Sequence, residues 1–596
     1  MFRETLIFLT FIVLASSENC FPSLDSEEFP EEALSLLKLS GKGYNELGKY
    51  SECLRQNRKY YIMKKLGTAT SAIRLGICIP NECSVESVNL SLGGSGFFVY
   101  EPERESLTIG GILFLSLFIF TVLAFIVSTV LHSISAKYIK NPIIKAFSGI
   151  IAYKSLTSIR ENNKFGCFNM LKFLSFLWVI YGHCYVMKLS SSIINFERLG
   201  PMFQNWWGIL SYGGFFAVDI FFSITGFFTC YFLLVQMEKT KGKIPWKLMY
   251  LNRYLRIVPT YAFVLGINYF LLPLLSNGPT WSNTRSGTVG DCDAYWWTNF
   301  IFINNFIPNG IGNNCFGIGW YLANDMQFFL IGPFLVYLYF KTQKKIRVWI
   351  FFLLIWILEG ILTFAITFHY NLKVNNMDSN NWRDGINIWF QLYYIKPYIR
   401  FPVYLQGIAA ALMFYYNEKL KTNTHREIDD PLLEIATKSL NFKKWISNLS
   451  FAMGIFLMVF FIVIQQQVYG NYNDPEAWSR GTNAFVFSIY RVGFILGLYM
   501  FIFPILIGKM PFFDKIMSHK IFEPLAKISY CGFLIHFGIL VAYNSSQNNT
   551  LIEGIFFMKD FFSLVPIVCL VGTFIYFIAE IPTQNLQNAI FRSKKK

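Results

Sequence analysis

The residues of this sequence best suited to chemistry are ionisable side chains inside apolar segments. Lys172 and His183 lie eleven residues apart in one such segment. Eleven residues turn an α-helix about 20° beyond three full turns, so both side chains share one face, about 16 Å apart along the axis. A histidine at this depth can act as a general base, and the lysine can bind an anion. The simpler alternatives are a histidine that only packs and a lysine that extends to the membrane surface.

Further polar side chains reach a similar depth from other apolar segments. Asp219 and Asp325 each lie about two helical turns inside a segment. We expect one of them to orient the imidazole of His183 or to stabilise its protonated form. Two further apolar segments carry His536 and Arg400 towards the same side as His183. Polar groups from five segments therefore converge there, which predicts a functional site.

A second group of charges lies at the other end of these segments. Arg253 and Arg256 are three residues apart, so they share a helix face suited to binding phosphate. Taken alone, extension of both arginines to the membrane surface is the simpler explanation. Glu580, followed by Pro582, closes the last apolar segment near the same side. Its carboxylate either pairs with an arginine or meets a ligand.

The composition requires a membrane scaffold for these residues. The chain has 596 residues, of which 54% are apolar and only 15% are charged, with a net charge of +16 and a mean hydropathy of +0.40. About a quarter of the residues of a soluble domain are charged. A soluble enzyme, a disordered tail and a fibrous protein are therefore excluded. The positive charge falls in short blocks between apolar runs, which argues against a nucleic-acid partner.

Eleven apolar runs are long enough to cross a membrane, which predicts an all-α polytopic membrane protein with about eleven transmembrane helices. The runs cover about 109–131, 168–188, 212–236, 248–275, 317–340, 347–369, 397–417, 446–468, 485–507, 524–543 and 557–579. Lys and Arg favour alternate connections by about four to one. This bias places the N-terminal region in the lumen or outside the cell and the C-terminus in the cytosol. We expect an integral protein of the endomembrane system or plasma membrane.

The first part of the chain has the pattern of a secreted domain. Residues 1–17 combine Arg3, a short apolar run and small residues, which is typical of a cleaved signal peptide. A signal anchor is the alternative, but the run is shorter than the ~20 residues that span a bilayer. Residues 18–105 are polar, and we expect them to form a small, helical, disulfide-bonded lumenal domain.

Cysteines and sequons fit the same topology. Cysteines at four positions predict two disulfides with three pairings open, because no histidine lies among them to suggest a zinc site. These four positions are Cys20, Cys53, Cys78 and Cys83. Cys292 and Cys315 share the lumenal connection 276–316 and could form a third disulfide. Sequons in predicted lumenal segments indicate glycosylation at Asn89, Asn544 and Asn548. The basic tail 586–596 loosely resembles a retrieval signal, although positive-inside charge explains it more simply.

An ordered set of motifs resembles the acyltransferase 3 family of membrane proteins. The motifs are Lys172-x(10)-His183, Arg253-x-x-Arg256, Gly214-Phe-Phe-Ala-Val-Asp219-Ile-Phe-Phe and Glu580-x-Pro582. The segments Leu47–Cys53, Gly76–Cys83 and Trp320–Gln327 are similar to the branch called nose resistant to fluoxetine, which adds a cysteine-bearing lumenal domain. The resemblance covers roughly residues 45–585. Two departures are Thr225 for the usual Ser and Lys172 for the common Arg, and both keep polar chemistry.

The resemblance implies a domain arrangement and an activity. A first transmembrane helix and cytosolic linker (106–165) would precede a ten-helix bundle at 166–585. The family transfers an acyl group from cytosolic acyl-CoA to an acceptor hydroxyl of a lipid, sterol or glycan, within the membrane or at the lumenal side. His183 would be the general base, with Asp219 or Asp325 assisting it. The substrate-binding candidates are Lys172, Arg253, Arg256, Arg400, His536 and Glu580.

Other functions stay open at this point. Acyl-CoA would be a co-substrate, with no permanently bound cofactor and no metal, and membrane lipids would be the surroundings. A lipid or small-hydrophobe transporter would use similar polar, interrupted helices. A non-catalytic accessory subunit, with an unidentified membrane partner, is a third alternative. The presence of His183 together with Arg253 and Arg256 favours catalysis, because a transporter needs no CoA site.

Overall fold

The computed structural model describes most of the chain from residue 35 onward. The described residues are 35–36, 38–41, 45–65, 74–91, 97–102, 105–161, 163–189, 193–195, 205–275, 278–281, 283–310, 314–372, 388–421, 430–442, 444–465, 478–548, 551 and 558–593. The predicted signal peptide 1–17, Cys20 and the last three lysines lie outside these residues.

The N-terminal region contains a small antiparallel sheet beside short helices. Its elements are α1 (Tyr50–Arg55), β1 (Lys59–Lys65), β2 (Arg74–Ile79), α2 (Val85–Ser91) and β3 (Phe97–Tyr100). The strand order is β2-β1-β3. The expectation of a helical domain was therefore wrong. Tyr and Ile in β1 and Ile in β2 favour strands. Both faces of the sheet are buried, with Tyr61 and Ile77 in one apolar cluster and Tyr60 and Ile62 in another.

Disulfides connect two parts of the chain as expected. Cys53 in α1 bonds to Cys78 in β2, which selects one pairing among those left open. Cys83 is buried, and its predicted role in a second disulfide with Cys20 stays a prediction. Cys292 and Cys315 form the other predicted disulfide.

Long helices occupy all eleven predicted positions. They are α3 (Ile109–Ile134), α4 (Gly166–Leu189), α5 (Trp206–Lys239), α6 (Trp246–Gly266), α7 (Trp320–Lys341), α8 (Ile346–His369), α9 (Pro397–Lys421), α10 (Lys444–Val463), α11 (Arg480–Leu506), α12 (Phe522–Ser545) and α13 (Met558–Ile575), followed by α14 (Ile581–Ser593). Shorter helical pieces lie at Ala136–Lys140, Pro142–Phe147, Gly149–Thr157, Leu272–Leu274, Asn283–Val289, Cys292–Phe300, Pro431–Phe442 and Pro511–Met517. Single π-helical turns lie at Ile267–Leu271, Trp389–Tyr394 and Tyr576–Glu580.

Within the described residues, nine helical stretches are long and apolar enough to cross a membrane. Helices α7 and α9, which the sequence predicts as spans, are not among the nine. Both carry buried polar side chains, including Asn324 and Asp325 in α7 and Arg400 and Gln406 in α9, and these lower their hydropathy. The protein is thus a polytopic helical membrane protein, and the count of eleven spans stays a prediction.

The bundle has a buried centre and a lipid-like exterior. Helix α5 packs along α4, α9 and α7, while α12 packs against α4 and α13. The α5–α9 contact is close because Gly407 faces the backbone carbonyl of Ser223, and Gly226 faces that of Tyr404. Helix α3 buries only Gly111 and Ser128 fully, and apolar side chains such as Leu113 and Phe120 are exposed. An apolar helix with an exposed surface of this kind is stable in the hydrocarbon core of a bilayer.

We call the side of the bundle where Lys164, Asn252 and Gln587 lie the basic end. Polar contacts join several helix ends there. Lys164, just before α4, donates to Glu418 of α9 at 2.8 Å and also to Tyr231 of α5. Gln587 of α14 donates to the carbonyl of Asn252 in α6 at 3.0 Å. The charge bias of the sequence predicts that this end faces the cytosol.

The predicted glycosylation sites differ in their surroundings. Both amide atoms of Asn89 bond to the backbone of Val99, at 3.1 and 2.7 Å. Asn544 is buried in the last turn of α12, where its amide donates to the Leu540 carbonyl at 2.9 Å. These contacts give no support to modification at Asn89 or Asn544, whereas Asn548 lies half-exposed beyond α12 and stays a prediction.

Candidate functional site

Two histidines from neighbouring helices contact each other in the bundle. His183 of α4 and His536 of α12 approach with Nδ1 and Nε2 2.9 Å apart and ring centroids 5.0 Å apart. His536 is fully buried, and its Nδ1 lies 2.5 Å from the backbone carbonyl oxygen of Phe533. The sequence placed both histidines at similar depth but did not predict that they form a pair.

The hydrogen bonds of this pair determine where the protons lie. A backbone carbonyl can only accept, so Nδ1 of His536 must donate to the Phe533 oxygen. In a neutral ring, Nε2 of His536 is then the acceptor, and it receives the Nδ1 proton of His183. Nε2 of His183 is left with the lone pair. This nitrogen can therefore accept a proton from a substrate.

A large cavity leads from the basic end towards the two histidines. Its volume is about 880 Å³, and its outer walls include Arg160, Asn163 and Lys527. The cavity continues inward between α4, α5, α6, α7 and α12 as far as Tyr321 and Phe533. Clefts of this size bind small molecules. The cavity is the candidate binding site for an organic substrate.

Three of the cations predicted from the sequence line this cavity. They are Lys172, Arg253 and Arg256. Lys172 is half-buried, with its Nζ 4.8 Å from the centre of the Phe228 ring, and Arg256 is exposed. Of the residues that the structure describes, none forms an ion pair with Lys172 or Arg256. The cavity therefore presents uncompensated positive charge, as an anionic ligand requires.

Arg253 is held more firmly than the other two cations. Its Nη2 donates to Oδ2 of Asp325 at 2.5 Å, and its guanidinium lies 4.1 Å from the centre of the Phe329 ring. Both Arg253 and Asp325 line the cavity. Asp325 is thus a partner of Arg253 rather than of His183.

The other aspartate also has a different partner from the one expected. Asp219 is fully buried, with Oδ1 2.6 Å from Nη1 of Arg400 and Oδ2 2.9 Å from Nη1 of Arg491. No hydrogen bond joins Asp219 or Asp325 to His183 in the described part of the chain. The expectation that an aspartate orients His183 was therefore wrong, because both carboxylates are neutralised by arginines and His536 occupies that place.

This buried ion cluster changes the interpretation of two arginines. Arg400, predicted to bind substrate, is fully buried and does not line the cavity. Arg491 of α11, which our sequence reasoning missed, completes the cluster and also donates from Nε to the Tyr393 hydroxyl at 2.8 Å. An ionisable residue within a predicted span is the signal that could have identified Arg491.

Glu580 lines the cavity at the π-helical turn before α14. Its Oε2 accepts from Sγ of Cys531 at 2.9 Å, and its Oε1 accepts from Nε2 of Gln584 at 2.9 Å. Among the described residues it forms no ion pair, so the commoner alternative of pairing with an arginine is not observed. Its carboxyl group faces the space that a ligand would fill.

An aromatic pair separates the cavity from the histidines. The ring of Phe533 lies 5.1 Å from that of Tyr321 and 5.5 Å from that of His536, measured between centroids. Phe533 and Tyr321 line the cavity, whereas His183 and His536 do not. The Phe533 ring thus borders the cationic cavity and contacts the ring of His536.

These features define a class: a polytopic helical membrane protein with a cationic cavity near a histidine pair. A family model described as an acyltransferase domain, acyltransferase 3, matches residues 165–581. The chain therefore belongs to the acyltransferase 3 family. Membership of this family supports, in the broad sense, the assignment of the protein as a membrane acyltransferase.

Individual relatives agree with this family. The chain is 26% identical over 492 residues to "Nose resistant to fluoxetine protein 6" of Caenorhabditis elegans, a match that covers 76% of this chain and 55% of that relative. The chain thus spans about half the length of this relative. It is also 27% identical over 135 residues to "Peptidoglycan O-acetyltransferase OatA" of Listeria monocytogenes, covering 22% of this chain and 21% of the relative. No solved structure matches the chain.

Proposed function

We propose that the protein is a membrane O-acyltransferase that moves an acyl group from acyl-CoA to an acceptor hydroxyl. The observation that carries this proposal is the His183–His536 pair, because it leaves Nε2 of His183 as an available base. The family membership and the O-acetyltransferase relative support the reaction type. The cations of the cavity support an anionic, nucleotide-bearing donor.

The donor would enter from the basic end. Its phosphates would meet Arg256, Arg253 and Lys172, and its pantetheine arm would extend inward along the aromatic wall formed by residues such as Phe221 and Phe228. The thioester would then lie against Phe533 and Tyr321. Because this pair covers the inner end of the cavity, the Phe533 ring must rotate before the thioester meets an acceptor at His183.

The chemistry at His183 can be written as a balanced transfer. Nε2 of His183 takes the proton of the acceptor hydroxyl while its oxygen attacks the thioester carbonyl. The carbon–sulfur bond then breaks, and the CoA sulfur leaves with the proton that His183 had taken. The positive charge on His183 in between strengthens its Nδ1–H bond to Nε2 of His536. His536 is therefore a positioning residue in this proposal.

A test should separate this reaction from transport. Labelled acyl-CoA is supplied at the basic end of sealed, oriented vesicles, and label is followed into O-acyl product. We expect His183→Ala to decrease product formation by about 10²–10⁴-fold, whereas His132→Ala retains it, because His132 bonds to Ser148 and not to the pair. Equal amounts of product from His183→Ala and from the wild-type protein would contradict the assignment of His183 as the catalytic base.

The alternatives give different results in the same vesicles. A lipid or small-hydrophobe transporter would move unmodified cargo with no dependence on His183 and no competition by free CoA. An accessory subunit would show neither acyl transfer nor cargo movement without its partner. The matching acceptor, whether lipid, sterol or glycan, is identified by mass spectrometry of the labelled product.

A further inference from the structure

A second cavity adjoins the first at the basic end, between α6 and α14. Its volume is about 520 Å³. The two cavities share Arg253 and Arg256, together with Met249, Phe329 and Gln584. The two arginines therefore lie at a junction between an inner and an outer compartment.

The outer compartment has a distinct chemistry. Besides the arginines, its polar lining consists of carboxamides: Asn252, Gln584, Gln587 and Asn588. Phe329 and Phe591 supply aromatic surface, and none of the described lining residues is acidic. Carboxamides offer donors and acceptors side by side, which is the pattern on the edge of a nucleobase. Aromatic side chains provide stacking surface for the base plane.

Hydrogen bonds hold these carboxamides in place, but some of their donor and acceptor atoms are not used. Gln587 Nε2 donates to the carbonyl and to Oδ1 of Asn252, at 3.0 and 3.2 Å, which fastens α14 to α6. Gln584 Nε2 donates to Glu580 at 2.9 Å. The Nδ2 of Asn252, the Oε1 of Gln587 and the amide of Asn588 have no hydrogen-bond partner among the described residues. These groups are available to a ligand.

We propose that this outer compartment binds the adenine nucleoside of the donor, an inference that rests on the proposed use of acyl-CoA. Acyl-CoA carries, in covalent order, a base and ribose, phosphates, a pantetheine arm and the thioester. The walls follow the same order: carboxamides and Phe591 outside, Arg253 and Arg256 at the junction, and apolar residues leading to Phe533 inside. Matching order along a connected cavity fits one extended ligand.

A third cavity offers the competing location for the nucleotide. It has a volume of about 360 Å³, shares Arg160 and Glu523 with the first cavity and adds His519 and Lys520. It also contains Glu161 beside Glu523, so two carboxylates face any phosphate there. The outer compartment between α6 and α14 has arginines and no acid, which favours it for an adenine nucleotide.

The experiment compares two ligands that differ by the 3′-phosphoadenosine 5′-phosphate part of CoA, which contains the adenine nucleoside and two phosphates. Binding of CoA and of 4′-phosphopantetheine to the purified full-length protein is measured by titration calorimetry. Asn588→Leu removes one carboxamide from the outer compartment without removing the α6–α14 hydrogen bonds of Gln587. We expect CoA to bind the wild-type protein about tenfold more tightly than 4′-phosphopantetheine, and Asn588→Leu to weaken the binding of CoA alone, because only CoA carries the nucleoside.

A matched control lies on the same helix. The Asn585 amide donates to the Ala146 carbonyl at 3.4 Å and does not line the cavity, so Asn585→Leu should leave both affinities unchanged. Equal weakening of both ligands by Asn588→Leu would overturn the proposal, as would loss of the difference in Lys520→Ala, which places the nucleoside in the third cavity. Binding with this pattern but without acyl transfer would refute the proposed function alone. No CoA binding by the wild-type protein would refute both.

Discussion

Phe533 and His536 lie one helical turn apart in α12, and the backbone carbonyl of Phe533 accepts the Nδ1 proton of His536 at 2.5 Å. The same Phe533 lines the cationic cavity, and its ring lies 5.5 Å from that of His536 between centroids. One residue thus sets the tautomer of the histidine pair and covers the approach to it. A change in the position of this turn would therefore affect both the base and the access of the thioester.

His183→Ala should abolish the base while leaving the cavity intact. We expect the rate of acyl transfer to fall by about 10²–10⁴-fold, the usual contribution of a positioned general base. CoA affinity should stay within twofold, because His183 does not line the cavity. Single-turnover kinetics and calorimetry measure the two quantities, and a parallel loss of CoA affinity would contradict this assignment.

His536 should act through His183 rather than on the substrate. His536→Leu removes the acceptor of the Nδ1 proton of His183, whereas His536→Gln keeps a carbonyl oxygen that can accept it. We therefore expect a large decrease in kcat for His536→Leu, partial recovery for His536→Gln, and KM for acyl-CoA unchanged in both. Equal activity of the two variants would show that this hydrogen bond is not used.

Removal of the Phe533 ring should open the cavity towards the histidines. In Phe533→Ala, water that reaches His183 would gain access to a bound thioester, so acyl-CoA hydrolysis without acceptor should increase. Release of free CoA, followed with a thiol reagent, measures this rate. Phe221→Ala is the matched control, since Phe221 lines the same cavity without a ring contact to either histidine. A comparable increase in that variant would point to general loosening.

The arginines of the bundle should divide into two classes. Arg256 is exposed at the cavity junction, so Arg256→Ala should raise KM for acyl-CoA with little change in thermal stability. Asp219 is enclosed by Arg400 and Arg491, so Asp219→Asn leaves buried positive charge uncompensated. We expect a loss of about 3–5 kcal/mol in folding free energy, as for other broken buried ion pairs.

Thermal unfolding in detergent can test this division. Asp219→Asn should lower the unfolding temperature strongly, whereas Glu434→Gln should lower it little. Glu434 pairs with Lys438 on an exposed helical face, and exposed pairs contribute about 1 kcal/mol or less. If Asp219→Asn unfolds at the wild-type temperature, the ion cluster has another role than stability.

Much of the scaffold could be predicted from the sequence because apolar length alone identifies membrane helices. All eleven long helices were located, including α7, whose buried Asn324 and Asp325 place it below a strict hydropathy threshold. The small N-terminal sheet was missed, since its short strands are runs whose periodicity does not distinguish strand from helix.

The sequence predicted which residues belong to the candidate site better than it predicted which residues contact each other. Counting residues along a helix gives the depth of Asp219 and of His183, but not the rotation of one helix against another. Asp219 was therefore assigned the wrong partner, because it pairs with Arg400 and Arg491 instead of His183. Lys172, Arg253 and Arg256 were correctly grouped, because all three line one cavity.

The π-helical turn Tyr576–Glu580 adds one residue to a helix that otherwise continues from α13 into α14. One inserted residue rotates everything after it by about 100° around the helix axis. The turn therefore sets the azimuth of α14, and with it the direction in which Gln584, Gln587 and Asn588 point. Deleting a single residue there would rotate Gln584, Gln587 and Asn588 away from α6, although no side chain of α14 would be changed chemically.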